Sequence, residues 1–222
     1  MVAESEASLA RDGGVRGDPP PAFASAIAVG AVCGLAWASG FRAYMMLIAG
    51  PASRFDWVGT FVAILLPGVV VGALLGLAEA IRRRGGRRHW RWLGLAPLAF
   101  AVVPLALPGA LVDFLTQGLG GGAVGVAVAA IAGGFALSGR GAVWARIVGA
   151  LVALVIAAGV ALTVPMIGGR ALALSEPRGL WAAILAGSFV IVLCLASSIP
   201  FRTAWTRVGA GRPGAREHEE SS

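Results

Sequence analysis

Apolar residues run through this chain in long blocks, separated by short gaps rich in arginine, glycine and proline. Six blocks stand out, at about 22–49, 57–81, 92–112, 119–138, 143–167 and 179–200. Each is close to the ~20 apolar residues that carry a helix across a hydrocarbon core of ~30 Å. Inside lipid every backbone N–H and C=O must be paired within the protein, and a helix does this within one segment. The strict alternation of a membrane barrel strand is absent. The pattern therefore predicts an all-α fold: a polytopic transmembrane helical bundle of six spans. The stretch "MVAESEASLARDGGVRGDPP" (1–20) is polar and mixed in charge, and "GAGRPGAREHEESS" (209–222) reads the same way. Such segments bury too little apolar surface to fold, so both ends are expected to be disordered. The organisation is a tail over 1–20, a six-helix membrane domain over 21–201 and a basic tail over 202–222.

Composition sharpens this. Hydrophobic residues make up 58% of the chain and charged residues 13%, against about 25% charged in a typical soluble domain. The net charge is +7, and all 18 basic residues are arginine. A nucleic-acid partner does not follow, because the arginines sit in the gaps between apolar blocks and no nucleic-acid motif accompanies them. In gaps, arginine sets orientation. With six spans, the N-tail, the 82–92 gap, the 139–142 gap with Arg146, and the C-tail share one side. Arg42, Arg54, Arg170 and Arg178 are left opposite. The positive-inside rule places both termini in the cytoplasm, with the chain in the plasma (inner) membrane. "AWA" at 36–38 has the form of a signal-peptidase site. The long segment before it, which carries Glu4, Glu6, Asp12 and Asp18, and the apolar run after it speak for an uncleaved first span.

Small residues recur every fourth position: Ala26, Gly30, Gly34 and Ala38 in the first block, and Gly68, Gly72, Gly76 and Ala80 in the second. Gly121, Gly125, Ala129 and Gly133 do the same in the fourth, and Gly149, Ala153, Ala157 and Ala161 in the fifth. Lipid supplies no hydrophobic drive between helices, so association rests on close backbone approach along such ridges. The ridges predict tight packing within the chain, with an oligomer or membrane partner as the alternative use.

The stretch "GFRAYMMLIAGPASRFDWVGT" (40–60) interrupts the apolar pattern with Arg42, Tyr44, Asp56 and Trp57. The first block is about 42 Å long as a helix, too long for the core even when tilted. It is expected either to protrude or to break near Ser39–Gly40. A submerged arginine costs roughly 2.5–3.5 kcal/mol at mid-membrane and needs a partner. Asp56 and Asp113 are the candidates, with Tyr44 and Trp57 as covers, so an outer polar cluster of Arg42, Tyr44, Asp56, Trp57 and Asp113 is expected. The alternative is a charge pair that merely fixes the first three helices. In "GLAEAIRRRGGRRHWRW", Glu79 lies three and four residues before Arg82 and Arg83, at helical pairing distance. Arg82, Arg83, Arg84, Arg87, Arg88 and Arg91 are expected to meet anionic lipid at the cytoplasmic face, at about 1 kcal/mol each. Trp90 and Trp92 fit interfacial anchors. Proline at 67, 97, 104 and 108 predicts kinks.

The run from "GFRAYMMLIAGPASRFDWVGTF" through "AILLPGVVVGALLGLAEA" to "RRHWRWLGLAPL" resembles small, uncharacterised multi-pass membrane proteins of high-GC actinobacteria, over about residues 30–100. The resemblance implies a bacterial inner-membrane protein and carries over no catalytic residue. Cys33, Cys194, His89 and His218 are scattered, so no metal, cofactor or nucleophile–base pair is expected. The expected role is packing, assembly or accessory. The alternative is a small-solute or lipid transporter with an outward-facing polar cavity.

Overall fold

A computed structural model describes residues 23–106 and 121–204. The 1–20 tail, most of the 202–222 tail, Pro108, Asp113 and His218 lie outside the described residues. Helices occupy every apolar block, and no strand occurs among the described residues. Helix α1 is Phe23–Ala49 and α2 is Trp57–Arg83. A 3₁₀ run, Trp90–Leu98, leads into α3, Ala99–Leu105. Helix α4 is Gly121–Leu137, α5 is Val143–Gly168 and α6 is Pro177–Ser197.

Among the described residues, four helical stretches are long and apolar enough to cross a membrane: Phe23–Ala49, Trp57–Arg83, Val143–Leu172 and Pro177–Phe201. Trp90–Val103 and Gly122–Leu137 are shorter apolar helices, and residues 107–120 between them lie outside the described residues. Proline shapes the third block. Pro97 stands inside the 3₁₀ run, where the missing N–H and the ring's clash with a carbonyl disfavour a regular α-turn. Pro67 acts differently. It lies at the start of the regular part of α2, and the nine residues Trp57–Leu65 before it wind as a π-helix. The wider turn lets Leu66 donate to the Phe61 carbonyl, so the chain reaches proline without a break.

Helix α1 does not break. It runs 27 residues straight through Ser39–Gly40, because Gly40 faces the Phe189 ring of α6. A Cβ at Gly40 would lie 3.0 Å from that ring. Helices α1 and α2 are antiparallel and their small-residue ridges face each other. A Cβ on Gly34 would lie 2.9 Å from the Gly72 Cα, and one on Gly30 would lie 3.0 Å from the Gly76 Cα. The same added atoms would strike the carbonyl oxygens of Gly68 and Gly72. These ridges therefore serve contact within one chain.

Helices α4, α5 and α6 pack against one another on the same rule. Gly133 admits Cys194 of α6 and Ala153 of α5, and Gly149 sits against the Ala132 carbonyl. The Cys194 thiol donates to the Ala129 carbonyl at 3.2 Å. Arg146 closes the α4–α5 hairpin by donating to the Ala136 carbonyl at 3.1 Å. The two groups meet around buried Val71 and Leu75 of α2, Phe100 of α3, Val126 and Ala130 of α4, and Leu193 of α6.

Candidate functional site

Arg42 is buried, at 8% exposure. One terminal nitrogen donates to the Ser53 hydroxyl at 3.0 Å and the other to the Arg54 carbonyl at 2.6 Å. Its guanidinium carbon lies 4.1 Å from the centre of the Phe55 ring. The α1–α2 connection folds back so that its backbone and one hydroxyl receive the cation. Among the described residues no carboxylate takes part. Asp56 is exposed and accepts from the Gly59 N–H at 2.5 Å as the N-cap of α2. A carboxylate there satisfies an orphan donor and meets the positive end of the helix dipole.

Of the expected outer cluster, the described members Arg42, Tyr44, Asp56 and Trp57 make no hydrogen bond or ion pair with one another. Tyr44 lies two residues beyond Arg42, on the opposite face of α1. It is buried against Val164 of α5 and Ala182 and Ala186 of α6. Its hydroxyl donates to the Val160 carbonyl at 3.3 Å and lies 3.5 Å from the Thr163 hydroxyl. Trp57 is 78% exposed and stacks on Phe61, as an interface anchor does. Asp113 lies outside the described residues. Arg42 keeps its predicted need for partners, and its described partners are neutral.

Sequence reasoning missed the centre of the molecule. Trp37, Phe41 and Tyr44 of α1, Phe100 of α3 and Phe189 of α6 form one ring cluster. Trp37 and Phe41 stack at 5.2 Å, Phe189 stands edge-on to both, and the Trp37 indole donates to the Phe189 carbonyl at 3.0 Å. The spacing 37, 41, 44 marks one helical face, which was the available signal. Pairing with Phe189, 152 residues away, was not written locally.

At the other end of α2, Glu79 accepts from Arg82 at 2.7 and 2.8 Å and from Arg83 at 2.6 Å. This is the predicted ion pair. Arg84 lies over the Phe23 ring at 3.8 Å. Arg87, Arg88 and Arg91 are exposed. Gly85 and Gly86 take positive φ, and so does His89, at 64°; the chain turns there between α2 and the 3₁₀ run. Arg87 and Arg91 border an open cleft of about 560 Å³ with Trp92 and Phe201. Trp92 is exposed, whereas Trp90 is buried against Ala78 and Ile81. Trp90 is therefore a packing residue and not the interfacial anchor its position suggests.

The chain matches no family model, no curated protein and no solved structure.

Proposed function

We propose that this chain is an integral membrane protein of six spans, with both termini on the arginine-rich cytoplasmic side, whose role is assembly or accessory. The observation that carries the reading is the outward face of α5. Trp144, Ile147, Leu151, Leu154, Leu162 and Met166 are all exposed, and they recur at helical spacing. Among the residues of α5, only Gly149 and Val164 are buried. An apolar face of that length suits lipid or another membrane helix, and is costly in water. The two shorter helices are compatible with spanning. A 3₁₀ run rises ~2.0 Å per residue, so Trp90–Leu98 followed by Ala99–Leu105 extends up to about 28 Å. Helix α4 extends about 26 Å. Both approach the ~30 Å core.

The resemblance to actinobacterial multi-pass proteins supports a bacterial inner membrane. The transporter reading gains no support. It had Arg42, Asp56 and Asp113 lining an outer cavity, whereas Arg42 is engaged by Ser53 and the Arg54 carbonyl, Asp56 caps α2, and Asp113 lies outside the described residues. Reporter fusions at residue 1, at 84–88, at 139–141 and after 204 test the threading. All four are expected to report cytoplasm. A periplasmic signal from 139–141 with cytoplasmic signals from 1 and 84–88 would refute six spans.

A further inference from the structure

Between α1, α2 and α6 runs a groove of about 500 Å³. Its floor is the α1–α2 seam of Gly30, Gly34, Gly72 and Gly76, where no side chain stands up. Val192 of α6 forms the facing wall, and the deep end closes on Trp37 and Phe100. Val29 and Cys33 on one rim and Val192 on the other are exposed, so the groove opens sideways, along the apolar surface. Its other end reaches Glu79 and Arg83.

Two dimensions select the occupant. From Gly68 to Glu79 the groove follows α2 for ~17 Å, close to the ~15 Å depth of one leaflet's hydrocarbon. Its volume spread over that length leaves a mean cross-section of about 30 Å². A single extended hydrocarbon chain fits a slot of that length and section. The charge at the mouth selects the headgroup. Glu79 holds Arg82 and Arg83, so the triad carries one net positive charge. The Arg83 side chain is 49% exposed there.

We propose that this groove binds one acyl chain of an anionic phospholipid, with the lipid phosphate at Arg83. The inference rests on the membrane reading above. It differs from general attraction to the arginine-rich gap, because it requires an apolar slot of fixed width beneath one particular arginine.

The test uses the full chain purified in mild detergent and exchanged against phosphatidylglycerol or phosphatidylcholine of identical acyl chains. Native mass spectrometry then counts retained lipid. Wild type is expected to retain one phosphatidylglycerol, at least tenfold over phosphatidylcholine. Val192→Trp fills the slot and is expected to lower retention at least tenfold. Arg83→Gln is expected to keep a lipid but lose the headgroup preference. Maleimide labelling controls for folding and occupancy: buried Cys194 reports folding, and Cys33 on the rim reports the occupant. Should Val192→Trp expose Cys194, Val29→Trp obstructs the slot from the opposite rim. Equal retention by a folded slot-filling variant overturns the proposal. So does protection of Cys33 that disappears on deleting residues 1–22, which would make the N-terminal segment the occupant. Release of the chain from membranes by carbonate would instead remove the membrane reading itself.

Discussion

Arg42 delivers one hydrogen bond from each terminal nitrogen, to Ser53 and to the Arg54 carbonyl. Bonds made by charged groups are worth about 1.5–3 kcal/mol. Arg42→Ala is expected to lose about that much in thermal unfolding in detergent, and Arg42→Lys to recover less than half. A lysine ammonium is a single point and does not reproduce the planar fork that reaches both acceptors. Asp56 gives the contrast. Asp56→Asn is expected to be nearly neutral and Asp56→Ala to cost about 1 kcal/mol, because the carboxylate acts as a helix cap. Were Asp56 the counter-ion of Arg42, the asparagine variant would be as damaging as Arg42→Ala. The need of Arg42 for partners was legible in its place between apolar residues. Which partners it takes was not, since backbone carbonyls of a connecting loop leave no mark in composition.

At the scale of elements, the glycines divide by what they face. A Cβ on Gly72 meets the backbone of α1 at Gly30 and Gly34, and neither can move aside. A Cβ on Gly187 of α6 meets nothing within 4 Å. Gly72→Ala is expected to lower stability, since overpacking costs ~1–3 kcal/mol and the seam runs along both helices. Gly187→Ala is expected to raise it by up to ~1 kcal/mol through helix propensity alone. Thermal unfolding of the two variants side by side checks the opposite signs. The four-residue spacing announced a seam on the first two helices. It announced seams equally on the fourth and fifth, and spacing alone does not say which ridge meets which.

For the whole molecule, the ring cluster ties α1 and α3 to α6. Phe189 touches Trp37, Phe41 and Tyr44 and covers Gly40. Phe189→Ala is expected to cost about 3 kcal/mol, as for other large-to-small aromatic changes in packed interiors. Trp144→Ala, at an exposed position on α5, is expected to change detergent stability little. Equal losses from the two variants would mean the cluster is not the link between the halves. Orientation belongs to the same scale. Replacing Arg84, Arg87, Arg88 and Arg91 by Gln is expected to produce mixed topologies in the reporter fusions, because the largest block of positive charge then no longer holds its side of the membrane.

The sequence by itself determined the helical class, the end of the first helix at Gly50–Pro51, and the Glu79 ion pairs. All three depend on residues close along the chain: apolar run length, proline and glycine at the breaks, and i,i+3 and i,i+4 spacing. Only the tertiary structure decided that α1 continues through Gly40, that Arg42 is held by neutral groups, that Trp90 is buried, and that the glycine seam leaves an open groove under α6. Each of these depends on a surface brought from far along the chain: the Phe189 ring for Gly40 and the Val192 wall for the groove. A local pattern cannot encode which distant face arrives, because every apolar helix here offers nearly the same face to its neighbours.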